Sequence, residues 1–507
     1  MTLYLPAECL NEIFEYLKKR DLLSCLLVSR LWCNVSVRIL WRKMPNFKTL
    51  ITFLPKKSKA ILYNIGIIIS TSRPPLFNYT SFIKILCIND LHRAIIRFLR
   101  NYPSTPKRIF SIMITREMFK MFMNQTSLKI LYFEFNVNDN IPNIPFTAYP
   151  GGKDCLSNLF ELSCSSNLYP EFFYQISRIC HNLQSLKITF DYEISNGLSE
   201  LISVQKDLNY LELDYKDYHS VESEEYYSFS DESDESDLDY CRNHLDESQL
   251  LAKIPNTLTK LHIDGRPCHM QLSFISKLSN LQELSLSIIS KKGLKEFKNL
   301  QHVIFPQLQI VTFEYRCPKV RYLINFLGIN GKNLKILDLG KNDSYNNSLN
   351  LAIANFCTNL KSLRFTYTNT HLNYYLDLLK VIFKGCEQLE SLDFLCDDDC
   401  EDYILEREFL EMVVEFSPKK FHELKLEMGS YVDADTAFQW GFKTIFKRWA
   451  NRVPCIPLSL TIITKIESEI ILDKRNEKLI KKYKKLGVIK EIKIFNESLE
   501  YHNRGCH

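Results

Sequence analysis

Cysteine and carboxylate come closest to a chemical site where Cys396 and Cys400 bracket Asp397, Asp398 and Asp399. Both groups can ligate metal, but zinc favours sulfur and nitrogen in a closed tetrahedral set. Two thiolates beside three acids make a poor zinc site, and no second Cys or His pair stands nearby at conventional spacing, so the segment reads as a free loop. Other signatures fail sooner. The chain has no Gly-x-x-x-x-Gly-Lys-Ser/Thr, no Gly-x-Ser-x-Gly, no His-Glu-x-x-His and no paired Cys-x-x-Cys. Glycine totals 14 in 507 residues, which argues against phosphate-cradling loops. No catalytic residue, metal or cofactor is expected.

The elements around this loop belong to a long chain with an ordinary composition. At 507 residues, 46% hydrophobic and 24% charged, it calls for several modules or a repeat array with a soluble profile. A net charge of +5 is small for this length and gives no push toward nucleic acid or an anionic membrane. The N-terminus lacks a basic region followed by an apolar core, so no secretory signal is expected. The longest apolar run, Ile61 to Ile69, is broken by Asn64 and is far short of the roughly 20 residues of a membrane span. Sixteen scattered cysteines in so large a chain suit a reducing compartment, the cytoplasm or nucleus.

Residues 3–44 read as three short helices. Pro6 fits a first helical turn, and Leu10, Ile13, Phe14 and Leu17 follow on one apolar face. Asp21 is placed to cap a second helix carrying Leu22, Leu23, Leu26 and Leu27, and Ser29 to cap a third with Trp32, ending near Trp41. So small a unit has difficulty burying its own apolar surface, and part of that surface should face a partner.

The run Leu5-Pro6-x-Glu8-x-Leu10-x-x-Ile13-Phe14-x-x-Leu17, then Asp21-Leu22, Val28-Ser29-x-x-Trp32 and Trp41, resembles the F-box. The resemblance implies docking on a Skp-type adaptor, itself carried by a cullin scaffold. The adaptor-facing residues it implies are Leu5, Pro6, Leu10, Ile13, Phe14, Leu17, Leu22, Leu26, Val28, Trp32 and Trp41.

From residue 128 onward a Leu-x-x-Leu-x-Leu pattern recurs, beginning at Leu128, Leu159, Leu183, Leu208, Leu258, Leu281, Leu308, Leu334, Leu360, Leu389 and Phe421. Most starts lie 23–32 residues apart, near the leucine-rich-repeat range of about 20–29. Each Leu-x-Leu predicts a short strand with one face buried, and no repeat can bury that face alone. Asn136, Asn167 and Asn342 stand where this repeat often bonds its turning backbone. Cys180, Cys357 and Cys386, each three residues before an opening Leu, resemble the cysteine-containing subtype that follows F-boxes, as small buried hydrophobes. The expected fold is an α/β solenoid, a leucine-rich-repeat horseshoe behind a three-helix F-box. The expected layout is an F-box over 1–44, a linker with irregular first repeats over 45–127, the array over 128–466 and a C-terminal cap over 467–507. That cap reads as a basic helix, Lys474 to Lys485, and a strand-like Val488 to Phe495. Lying on a membrane surface is a lesser alternative for the helix.

Two further expectations concern binding. Residues 216–248 are acidic and nearly devoid of aliphatic side chains, which predicts a disordered insertion. Its Ser228, Ser230, Ser233 and Ser236 sit where acidophilic kinases act. The strand positions between the leucines should point to the concave face. Acids gather there, among them Glu134, Glu161, Glu212, Asp214, Asp264, Glu314, Asp338 and Asp393, against Lys187, Lys260, Arg364 and Lys425. A target with a basic segment is therefore expected, with Tyr132 and Tyr210 as apolar anchors. The sequence reads best as the substrate-recognition subunit of a Skp–cullin–F-box ubiquitin ligase, without chemistry of its own. The alternative is a repeat scaffold that has no ligase role.

Overall fold

The computed structural model describes residues 5–44, 46–69, 76–102, 106–134, 141, 143–191, 193–215, 247–265, 270–289, 291–340, 347–367, 372–396, 405–427, 442–464 and 474–496. The chain divides into two units, residues 1–216 with 242–258, and residues 217–241 with 259–507.

The first unit opens with α1 (Ala7–Glu15), α2 (Lys19–Cys25) and α3 (Arg30–Leu40). Pro6 precedes α1, where a missing N–H costs nothing. The Ser29 side chain caps α3, accepting from the Trp32 N–H at 3.2 Å. Asp21 was expected to cap α2, but Lys18 holds that position and Asp21 lies inside the first turn. Its carboxylate still meets the positive end of the helix dipole. Two short helices follow, α4 (Phe47–Ile51) and α5 (Lys56–Asn64), then β1 (Ile85–Cys87), α6 (Ile88–Leu99) and α7 (Lys107–Gln125).

Strand β1 falls within the stretch expected to hold irregular first repeats. Ile83, Leu86 and Ile88 keep the spacing of the later motifs and are buried, but isoleucine replaces leucine at both ends. β1 pairs in parallel with β2 (Ile130–Phe133), and β3 (Glu161–Ser165), β4 (Ser185–Phe190) and β5 (Tyr210–Tyr215) continue the sheet. Leu86, Leu131, Leu162, Leu186 and Leu211 fall in one register row, each 0% exposed.

The second unit contains β6 (Lys260–Gly265), β7 (Glu283–Ile288), β8 (Ile310–Thr312), β9 (Ile336–Asp338) and β10 (Ser362–Tyr367). It ends with β11 (Ser391–Cys396), β12 (Glu423–Glu427), β13 (Leu458–Thr464) and β14 (Ile489–Asn496). All are paired in parallel. One row runs Leu261, Leu284, Val311, Leu337, Leu363, Leu392, Leu424, Leu460 and Ile492. Every Leu-x-x-Leu-x-Leu motif read from the sequence coincides with one of β2 to β12. Parallel strands returning through helices, with one strand face buried, make each unit consistent with an α/β solenoid.

Buried amides tie neighbouring turns together. Gln205 accepts from the Leu183 N–H at 3.0 Å and donates to the Cys180 and Leu201 carbonyls. Asn330 does the same in the second unit, accepting from the Phe305 N–H at 2.8 Å and donating to the Val303 carbonyl. Cys180, Cys357 and Cys386 are fully buried, and burial raises the thiols of Cys180 and Cys386 to about 11 and about 12. They pack as small apolar groups. Asn167 bonds Asp191 at 2.8 Å; Asn136, Asn342, Cys400 and 216–246 of the acidic insertion lie outside the described residues. Among the described residues, no helix is long and apolar enough to cross a membrane.

Candidate functional site

The three N-terminal helices close on a core of Leu10, Phe14, Leu22, Cys25 and Val35, with Leu17, Trp32 and Leu40 among the side chains packed round it. Phe14 and Trp32 meet edge to face at 5.0 Å between centroids. The eleven residues expected at the adaptor surface thus divide by burial. Leu10, Phe14 and Leu22 form the domain's own core, and Leu17, Leu26 and Trp32 are half-buried. Leu5, Pro6, Ile13 and Val28 are exposed, and Tyr16, Leu23 and Leu27 join them, Leu27 at 90%. Helical geometry could have singled these out. With Leu22 and Cys25 turned inward, Leu23 must turn outward, and Leu27 is exposed in the turn that follows α2. So many large apolar groups on so small a domain suit a surface that a partner covers.

Trp41 faces the other way. Its ring stacks on Tyr79 at 4.1 Å, so it joins the helical domain to the following segment. Beside it Arg42 forms a two-pronged ion pair with Glu15, one bond measuring 2.7 Å. The Arg42 hydrogen bond holds the Glu15 carboxyl below its usual range. The Arg42 carbonyl accepts from the N–H groups of Lys84 and Ile85 at 2.8 and 3.0 Å, and Lys43 bridges Ile85 in parallel. The helical domain is therefore hydrogen-bonded onto the start of β1.

The outward strand faces are charged differently in the two units. In β9–β12 four of the outward ions pair among themselves, with Glu423 exposed beside them. Arg364 bonds Asp338 at 2.9 Å and Asp393 at 2.6 Å, and Lys425 reaches Asp393 at 3.2 Å. These residues are register neighbours, two of each sign. Asp338 is only 8% exposed, accepts from the Gly340 N–H at 3.0 Å, and has its carboxyl pushed up by burial. Asp338 and Asp393, expected to meet a target, are engaged with their own neighbours. On β6 and β7, Lys260 pairs with Glu283 and Asp264 is half-buried; exposed Glu314 accepts from Ser287 at 2.7 Å.

In β2–β5 the outward positions hold four carboxylates, Glu134, Glu161, Glu212 and Asp214, and one cation, Lys187. Lys187 bridges Glu212 at 2.8 Å and Asp214 at 3.5 Å. The Tyr132 hydroxyl donates to Glu161 at 2.9 Å, and that of Tyr210 to Glu212 at 2.7 Å. Burial, then the Glu161 bond, pushes Tyr132 up to about 12. Both tyrosines are half-buried, with their hydroxyls directed at acids. No group of three His, Cys, Asp or Glu among the described residues is placed to hold a metal ion.

A small helical domain thus heads a series of strand-and-helix turns. Residues 2–44 match the family described as F-box-like, so the N-terminal segment is an F-box-like domain. No curated protein matches the chain. Among solved structures it is similar to one titled as a complex of Rad7 and Elc1 in yeast, at 15% identity over 94% of this chain and 97% of that chain. The TM-score of 0.35 is too low for that likeness to carry any argument.

Proposed function

We propose that this protein is the target-recognition subunit of a Skp–cullin–F-box ubiquitin ligase, acting in the cytoplasm or nucleus. In this reading residues 1–44 dock on a Skp-type adaptor and, through it, on a cullin. The strand-and-helix turns act as leucine-rich repeats that hold the target protein, with 467–507 as their cap. The observation that carries the reading is the exposed apolar set Leu5, Pro6, Ile13, Tyr16, Leu23, Leu27 and Val28, on an F-box-like domain whose core is complete without it. The subunit contributes proximity. Holding a target lysine near a ubiquitin-charged enzyme raises its effective concentration and needs no catalytic group on the receptor.

Co-purification with a Skp-type adaptor tests this. Wild-type protein should retain the adaptor, and a Leu5→Ala/Pro6→Ala variant should lose it with an unchanged melting temperature. Wild-type protein that retains none overturns the reading in favour of a repeat scaffold without a ligase role.

A further inference from the structure

The outward row at the C-terminal end of β2–β5 has a shape as well as a charge. Glu134 follows β2, its backbone held by Asn89, whose amide donates to the Glu134 carbonyl at 2.6 Å. Next in register come Ser165, Thr189 and then Asp214. The row is therefore an acid, two small hydroxyls and an acid. It spans roughly 14 Å, three strand spacings of about 4.8 Å. Ser163 lies beside this floor and donates to Glu134 at 2.5 Å, which confirms that the acid leans over the same face. The floor also contains an unmet bond. Thr189 is 1% exposed, its Oγ1 has no hydrogen-bond partner among the described residues, and its register neighbours place it on the face shared by Ser165 and Asp214. A buried hydroxyl without a partner carries a desolvation cost that a ligand can relieve. Lys187 bridges Glu212 and Asp214 and is the one cation beside the four carboxylates at the outward positions of β2–β5 among the described residues.

We infer that this notch is where the target docks, a basic segment laying an arginine or lysine between Glu134 and Asp214 above Ser165 and Thr189. The inference rests on the receptor reading above and makes it narrower. Charge complementarity selects the occupant, because a carboxylate at each end favours a cation and penalises an anion. It also selects the place. In β9–β12 the outward ions Asp338, Arg364, Asp393 and Lys425, one row nearer the N-terminal end of the strands, already pair among themselves. Tyr132, one outward position before Glu134, presents a half-buried ring against which the stem of the basic side chain can lie.

The test uses the full chain and an Arg-Ala-Arg-Ala-Arg peptide carrying a benzophenone, with cross-linked residues read by mass spectrometry. The acidic stretch 217–246 will attract the same peptide, so the position of the cross-links is what decides. The expected result is cross-links within 130–134, 161–165, 185–190 and 210–215, falling roughly ten-fold in a Glu134→Gln/Asp214→Asn variant. They should persist in a Glu314→Gln/Glu423→Gln variant, which alters acids of the second unit. Cross-links confined to 217–246 or to β9–β12, or equal loss in both variants, would overturn the inference. These substitutions nearly preserve side-chain shape, and circular dichroism checks that each variant folds. Adaptor capture is measured in parallel, so failure of the notch and failure of the ligase reading appear in different assays.

Discussion

Leu27 and Phe14 lie in the same small domain and should respond oppositely to substitution. Leu27 is 90% exposed, and no other side chain of the domain depends on it for packing. Leu27→Arg should leave thermal stability within about 0.5 kcal/mol of wild type, as surface changes usually do, while abolishing adaptor capture. Phe14 is 2% exposed and holds Trp32, so Phe14→Ala should cost about 3–5 kcal/mol and lose the adaptor through unfolding. Melting curves beside a capture assay separate the two. Glu15 has a third behaviour. Its carboxyl is lowered by Arg42, so the stability it contributes is full above the ordinary value of 4.5 and fades as pH falls through the lowered one. The two side chains are 38% and 31% exposed, where solvent screens the pair, and Glu15→Gln at neutral pH should cost less than about 1 kcal/mol.

At the scale of the element, the buried amides are the parts whose loss should show most clearly. Gln205→Leu keeps the volume but strands the Leu183 N–H, and Asn330→Leu strands that of Phe305. Each should cost about 1–3 kcal/mol per unsatisfied group. Hydrogen exchange should show faster opening of the adjacent turn, with distant turns unchanged. Nothing in the sequence marked these two residues, because each bonds a partner more than twenty positions away. The strands were legible for the opposite reason. Apolar residues at i, i+3 and i+5 are each buried by the turn's own geometry, so the pattern reports the strand directly. β1 and β13 escaped it because Ile83 and Pro457 stand where leucine opens the motif elsewhere. The charge of the strand faces was legible only as a sum. Whether Arg364 neutralises Asp338 and Asp393 depends on cross-strand register, which composition does not contain.

For the molecule as a whole, the decisive feature of the first unit is the way its helical domain is fastened to the sheet. Trp41 on Tyr79, Arg42 on Glu15 and the Arg42 carbonyl on β1 leave little freedom between the exposed apolar surface of that domain and the strands beyond. Trp41→Ala should preserve adaptor capture while loosening this joint, seen as faster proteolysis between residues 41 and 56. If the proposed function holds, ubiquitin transfer should fall although both binding steps survive, because proximity catalysis depends on geometry.

The deeply buried cysteines have a practical consequence. Among the described residues Cys155, Cys164 and Cys180 lie in the first unit, Cys357 and Cys386 in the second, all five 0% exposed and free of disulfides. A thiol reagent can modify such a group only after the turn around it has opened, so the labelling rate at each cysteine is a local clock. Without an introduced tag, the chain carries timers at five places along its length, able to show which turns breathe first and which fall quiet when a partner is bound.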